Sequence, residues 1–66
     1  MTIATPEGIV FEGKVDSAKF PGASGSFSAL TVGKLVYTQD GHSTELTIQG
    51  GFVEIKNDII SACVEI

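Results

Sequence analysis

Gln49-Gly50-Gly51-Phe52-Val53-Glu54-Ile55-Lys56-Asn57-Asp58-Ile59-Ile60-Ser61-Ala62-Cys63-Val64-Glu65-Ile66 is the stretch that decides the fold. Two apolar, β-branched runs flank Asn57-Asp58, a pair that tolerates the positive φ of a two-residue hairpin turn. Counting outward from that turn sets Ile55 against Ile60, Val53 against Ala62 and Gly51 against Val64. Alternation along a strand puts all of these, with Ile66, on one face. The other face carries Glu54, Lys56, Ser61 and Glu65, with Phe52 opposite Cys63. A hairpin that is apolar on one side and largely polar on the other needs a second sheet to cover it.

The chain has 66 residues and is read as a single domain over 1–66. A domain this small buries only about 60% of the surface of its unfolded chain. One cysteine cannot form an internal disulfide, and one histidine with one cysteine cannot build a structural zinc site. A partner protein is therefore expected to supply part of the stability. Four lysines against eight acidic residues give a net charge of −4, which argues against a nucleic-acid-binding surface. Met1 leads straight into a short strand-like run, with no signal peptide and no apolar segment long enough to span a membrane. A cytosolic chain, peripheral to something larger, is the expectation.

Outward from the C-terminal hairpin, proline and glycine divide the chain into short pieces, none with a sustained 3.6-residue period. Thr2 to Thr5 reads as a strand ended by Pro6, and Glu7-Gly8 as a turn. Ile9 to Glu12 and Lys14 to Phe20 read as strands, with a bulge or bend near Asp16-Ser17 where the apolar parity changes. Pro21-Gly22-Ala23-Ser24-Gly25-Ser26 is the strongest loop signal, followed by a strand over Phe27 to Leu30. Lys34 to Gln39 and His42 to Gln49 flank Asp40-Gly41, a second hairpin turn that pairs Leu35 with Leu46, Tyr37 with Thr44 and Gly33 with Ile48. The fold class is all-β, a small antiparallel β-sandwich or flattened barrel.

Thr5-Pro6-Glu7, then Val10-Phe11-Glu12-Gly13-Lys14-Val15, then Pro21-Gly22-Ala23-Ser24-Gly25-Ser26-Phe27 resemble the opening of the epsilon subunit of F-type ATP synthases. Gly50-Gly51-Phe52-Val53-Glu54-Ile55 and the hairpin after it resemble that family's later motif, and the likeness covers nearly the whole chain. Two departures stand out. Only Thr31-Val32 occupies the place of a longer segment with Gly-His-Ala-Pro-Leu, so the sandwich is shortened relative to the family. The C-terminal helical hairpin of many members is absent from these residues, so its roles in restraining hydrolysis and binding ATP are not carried over. The resemblance implies a non-catalytic central-stalk subunit at the cytoplasmic face of the bacterial inner membrane. It would join the gamma subunit to the c-ring and meet the membrane only through the complex. The alternative is a stand-alone β-sandwich module that binds protein.

The residues themselves offer no enzyme. The Pro21–Ser26 loop has no Lys-Ser/Thr after it and no helix to cradle a phosphate, so it reads as a sharp turn. His42 flanks a hairpin turn without a nucleophile at a useful spacing, and the carboxylates are dispersed. Cys63 has nothing basic beside it to activate a thiolate. No catalytic, cofactor-binding or metal-binding residue is assigned. The oddity is apolar residues on the polar side of the hairpins, namely Val36, Phe52, Ile59 and Cys63. Val36, Phe52 and Cys63 are expected to meet a partner, together with the loop tip Gly22, Ala23, Ser24, Gly25 and Ser26, which the resemblance places against the c-ring. Gly22 and Gly25 are candidates for positive φ, and Phe27 for anchoring the loop in the core.

Overall fold

Local turn chemistry sets both hairpins in the computed structural model, which describes residues 1–66. Eight strands form: β1 (Thr2–Thr5), β2 (Gly8–Glu12), β3 (Ser17–Lys19), β4 (Phe27–Leu30), β5 (Gly33–Gln39), β6 (His42–Ile48), β7 (Gly50–Lys56) and β8 (Ile59–Glu65). Asn57 and Asp58 take φ of 51° and 63°, and Asp40 and Gly41 take 50° and 81°. Positive φ at both central residues matches the right-handed twist of the flanking strands. The pairs counted from the sequence follow, Ile55 with Ile60 and Val53 with Ala62 in one hairpin, Leu35 with Leu46 and Tyr37 with Thr44 in the other. Aspartate holds the left-handed region at a cost that glycine avoids. Asp58→Gly relieves that cost but adds freedom to the unfolded chain, so it is expected to stabilise by no more than about 0.5 kcal/mol, read as a small rise in Tm.

The strands assemble into a five-stranded sheet, β2-β1-β8-β7-β4, and a three-stranded sheet, β3-β5-β6. The expected all-β sandwich of mainly antiparallel strands results: every pairing is antiparallel except β1 with β8, which run parallel. The two sheets pack face to face over Ile3, Leu30, Val53, Ala62 and Val64 from the larger and Leu35 and Ile48 from the smaller. Phe11 on β2 lies against Tyr37 on β5, ring centroids 4.5 Å apart, joining an edge strand of the larger sheet to the middle strand of the smaller.

Three expectations change here. Ile55 was expected in the core and is 42% exposed, and Ile60 is only half-buried. Their neighbours explain it: β1 pairs no further than Ser61 and β4 no further than Glu54, so the turn end of the β7–β8 hairpin projects past both. The strand read over Lys14 to Phe20 shrinks to Ser17–Lys19. The chain bends at Asp16, whose N–H donates to the Thr38 carbonyl at 2.7 Å, while the Lys14 carbonyl accepts from the Gln39 amide. A register shift also falls where no expectation put one, between Ile3 and Ala4 against β2, so that Ile9 faces Ala4 and Phe11 faces Ile3. That bulge turns Phe11 inward and leaves Ile9 and Val10 in solvent.

Candidate partner-binding surface

Inward residues of the larger sheet are fixed by the core, so the alternate residues must face solvent. Following the registers across the strands, Ile9 faces Ala4, Ala4 faces Cys63, Cys63 faces Phe52, and Phe52 faces Ala29. The result is one apolar row crossing all five strands on the outer face. Phe52 is 45% exposed and Ile9 62%. Phe27 is not a core anchor, contrary to the expectation from sequence. Its partner Glu54 points outward, and Phe27 with it, 67% exposed and stacked on Phe52 with centroids 5.8 Å apart. Beside the row is a depression of about 350 Å³ whose walls include Ala4, Pro6, Phe52 and Cys63.

The Pro21–Ser26 loop carries the chain from the small sheet to the large one, and it is pinned at both ends. The Ala23 N–H donates to the Phe20 carbonyl at 3.3 Å, with Pro21 and Gly22 (φ 83°) between them, the signature of a type II turn. The Pro21 carbonyl accepts from Thr31 N–H at 3.0 Å, and the Ser26 carbonyl from Ile55 N–H at 2.7 Å. Gly22 has the expected positive φ; Gly25 does not, and space around it is open. The tip residues Gly22, Ala23, Ser24, Gly25 and Ser26 are all exposed.

Turn chemistry alone does not hold the shape of this loop; packing holds it too. Ser28, buried on the inner side of β4, accepts from the Ser24 N–H at 3.0 Å and donates to the Gly25 carbonyl at 3.2 Å. Sequence reasoning passed over this serine because its hydroxyl matters only once β4 turns it inward. Ser28→Ala should cost about 1–2 kcal/mol and speed amide exchange at Ser24, while the sandwich stays folded.

Of the eight residues singled out from sequence, the structure brings Phe52 and Cys63 together as cross-strand partners and gathers Gly22 to Ser26 in one loop. Val36 joins neither. It lies on the small sheet between Lys19 and Glu45, half-buried. Ile9, Ala4, Ala29 and Phe27 were missed, because their places in the row depend on pairings between distant strands. The surface offers apolar area and backbone-defined shape, which suit binding.

Comparison with known proteins bears on what such a surface serves. Residues 1–66 match the family model described as ATP synthase, Delta/Epsilon chain, beta-sandwich domain. The ATP synthase epsilon chain of Desulforamulus reducens is 36% identical over 70 positions, covering 91% of this chain and 53% of that one. The epsilon chain of Leptospira interrogans is 34% identical over 71 positions (92% and 56%), and that of Nitratiruptor sp. 33% over 76 (98% and 59%). The chain thus spans a little over half the length of these relatives. Each aligned span exceeds the 66 residues present here, so the relatives carry residues without a counterpart in it. This chain belongs to the β-sandwich domain family of the ATP synthase delta and epsilon chains.

Proposed function

We propose that this chain is a non-catalytic rotor component of an ATP synthase, docked on the gamma subunit and resting on the c-ring. Ring rotation driven by ion flow would then reach the catalytic sites through a stiff connector. The observation that carries the reading is the exposed apolar row across all five strands of the larger sheet, in a domain of this family. A small sandwich standing alone has no use for a continuous apolar face of that extent. The loop from Gly22 to Ser26 is the second surface, small and polar at its tip and held in shape by Pro21 and Ser28, as a grip on polar loops of the ring requires. In that role the chain sits at the membrane only through its partners; no helix in it is long and apolar enough to cross a bilayer.

The test is co-expression with the gamma and c subunits of an ATP synthase from the same organism, followed by purification from membranes. The chain should purify with both. Phe52→Glu should release gamma, and Ser26→Trp should weaken ring binding and the coupling of pumping to hydrolysis, both with unchanged circular dichroism. A chain that stays alone in the presence of both subunits rejects the reading in favour of a stand-alone module. Should Ser26→Trp leave assembly and coupling intact, the loop does not touch the ring.

A further inference from the structure

The charges around the apolar row specify what lies on it, given that this face is where gamma docks. One rung away on one side, Glu12 stands opposite Thr2 and Glu54 opposite Ser61. On the other side, Glu65 faces Gly50, and Glu7 and Glu65 line a second hollow next to the depression at Phe52. None of these four carboxylates has an ion-pair partner; the one ion pair in the molecule is Lys34 with Glu45, on the small sheet. Lys56, beyond Glu54 towards the turn, is the sole cationic side chain in the strands of the large sheet. An apolar strip bordered on both sides by unpaired carboxylates complements an apolar stripe bordered by cations.

Shape narrows the occupant further. Backbone donors and acceptors of a sheet lie at its edges, so whatever covers the face must satisfy its own backbone, and a helix does. Five strands at about 4.8 Å spacing make the row about 19 Å long, which about 13 residues of helix span at 1.5 Å each. We propose that the outer face of the larger sheet docks a single amphipathic helix of the gamma subunit, its apolar stripe flanked on both sides by lysine or arginine.

Cys63 sits in the middle of the row and is the chain's one cysteine, so its alkylation reports cover on this face directly. A maleimide should label it readily in the free chain and about tenfold more slowly under saturating gamma. Titrated by that protection, gamma affinity should fall about tenfold between low salt and roughly 0.5 M salt. The combined Glu7→Gln, Glu54→Gln and Glu65→Gln variant should bind more weakly at low salt, chiefly through slower association, and lose most of the salt dependence. The carboxylates of these exposed glutamates make no hydrogen bond or ion pair in the fold, so the variant is expected to fold normally. If affinity is indifferent to salt and to the three substitutions, the cation-flanked helix is wrong while docking on gamma stands. Full-rate labelling of Cys63 in a gamma complex moves the docking site elsewhere and overturns the proposal. Labelling that slows with the concentration of the isolated chain assigns the face to a second copy and overturns it too. If gamma does not bind at all, this inference and the functional reading fall together.

Discussion

Gly51→Ala is expected to unfold the chain. Gly51 sits at φ +138°, a conformation that side-chain-bearing residues rarely adopt, and it faces Val64 across the β7–β8 ladder. A Cβ there would overlap the Cys63 carbonyl oxygen and come within 2.8 Å of Val64 Cα. Both obstacles are backbone of the neighbouring strand, so no rotamer change can relieve them. Strands β7 and β8 would have to part, in the middle of the large sheet and beside Val53 and Val64 of the core. A chain of this length has roughly 3–10 kcal/mol of stability in all. A loss above about 4 kcal/mol, the size reserved for severe lesions, takes a large part of that total and, towards its low end, all of it. Gly25→Ala is the control, since nothing lies near that position and its φ is ordinary; it should change stability by less than about 0.5 kcal/mol. Urea unfolding followed by far-ultraviolet circular dichroism compares the two. Equal midpoints would mean that β7 does not approach β8 so closely at Gly51.

What the sequence discloses is what its neighbours in the chain decide. Asn57-Asp58 and Asp40-Gly41 fix two hairpins and their registers, because turn conformation is a matter of two residues and the pleat does the rest. The candidate pair Phe52 and Cys63 followed from that counting alone. The remainder of the surface did not, because it depends on β1 lying parallel to β8 and on β4 lying beside β7. No local signal chooses those partners. Phe27-Ser28-Ala29-Leu30 has an apolar residue on either parity, so only its neighbour could show that Phe27 faces out and Ser28 in. Ile55 misled for a related reason. Its apolar side faces the right way, but the strands beside it are too short to cover it. The double glycine before Phe52 was read as part of a motif, and its steric reason appears only when the Cys63 carbonyl stands beside it.

Leu35→Ala should cost about 2–5 kcal/mol, the range for a fully buried leucine cut back to alanine. The small sheet gives the buried cluster only Leu35 and Ile48, against five residues from the large one, with Tyr37 and Leu46 packed around them half-buried, so Leu35 is one of its two fully buried anchors. Ile60→Ala, at a half-buried position on the projecting hairpin, should cost less, about 1–2 kcal/mol, and Glu54→Ala within roughly 0.5 kcal/mol. Measured against roughly 3–10 kcal/mol in total, the Leu35 lesion removes a large share of the isolated chain's stability and, towards the low end, unfolds much of it. Yet Leu35 lies in the core, away from the outer face of the large sheet, so the docking surface of the refolded variant is intact. A partner that binds only the folded form adds about 2.7 kcal/mol when present at a hundred times its dissociation constant. Gamma should therefore restore the strand signal of Leu35→Ala, and do so at concentrations that barely move the melting curve of Phe52→Glu. A Leu35→Ala midpoint that saturating gamma leaves unchanged would show that this domain does not draw stability from that partner. One as high as that of Glu54→Ala would show that the small sheet does not close the core at all.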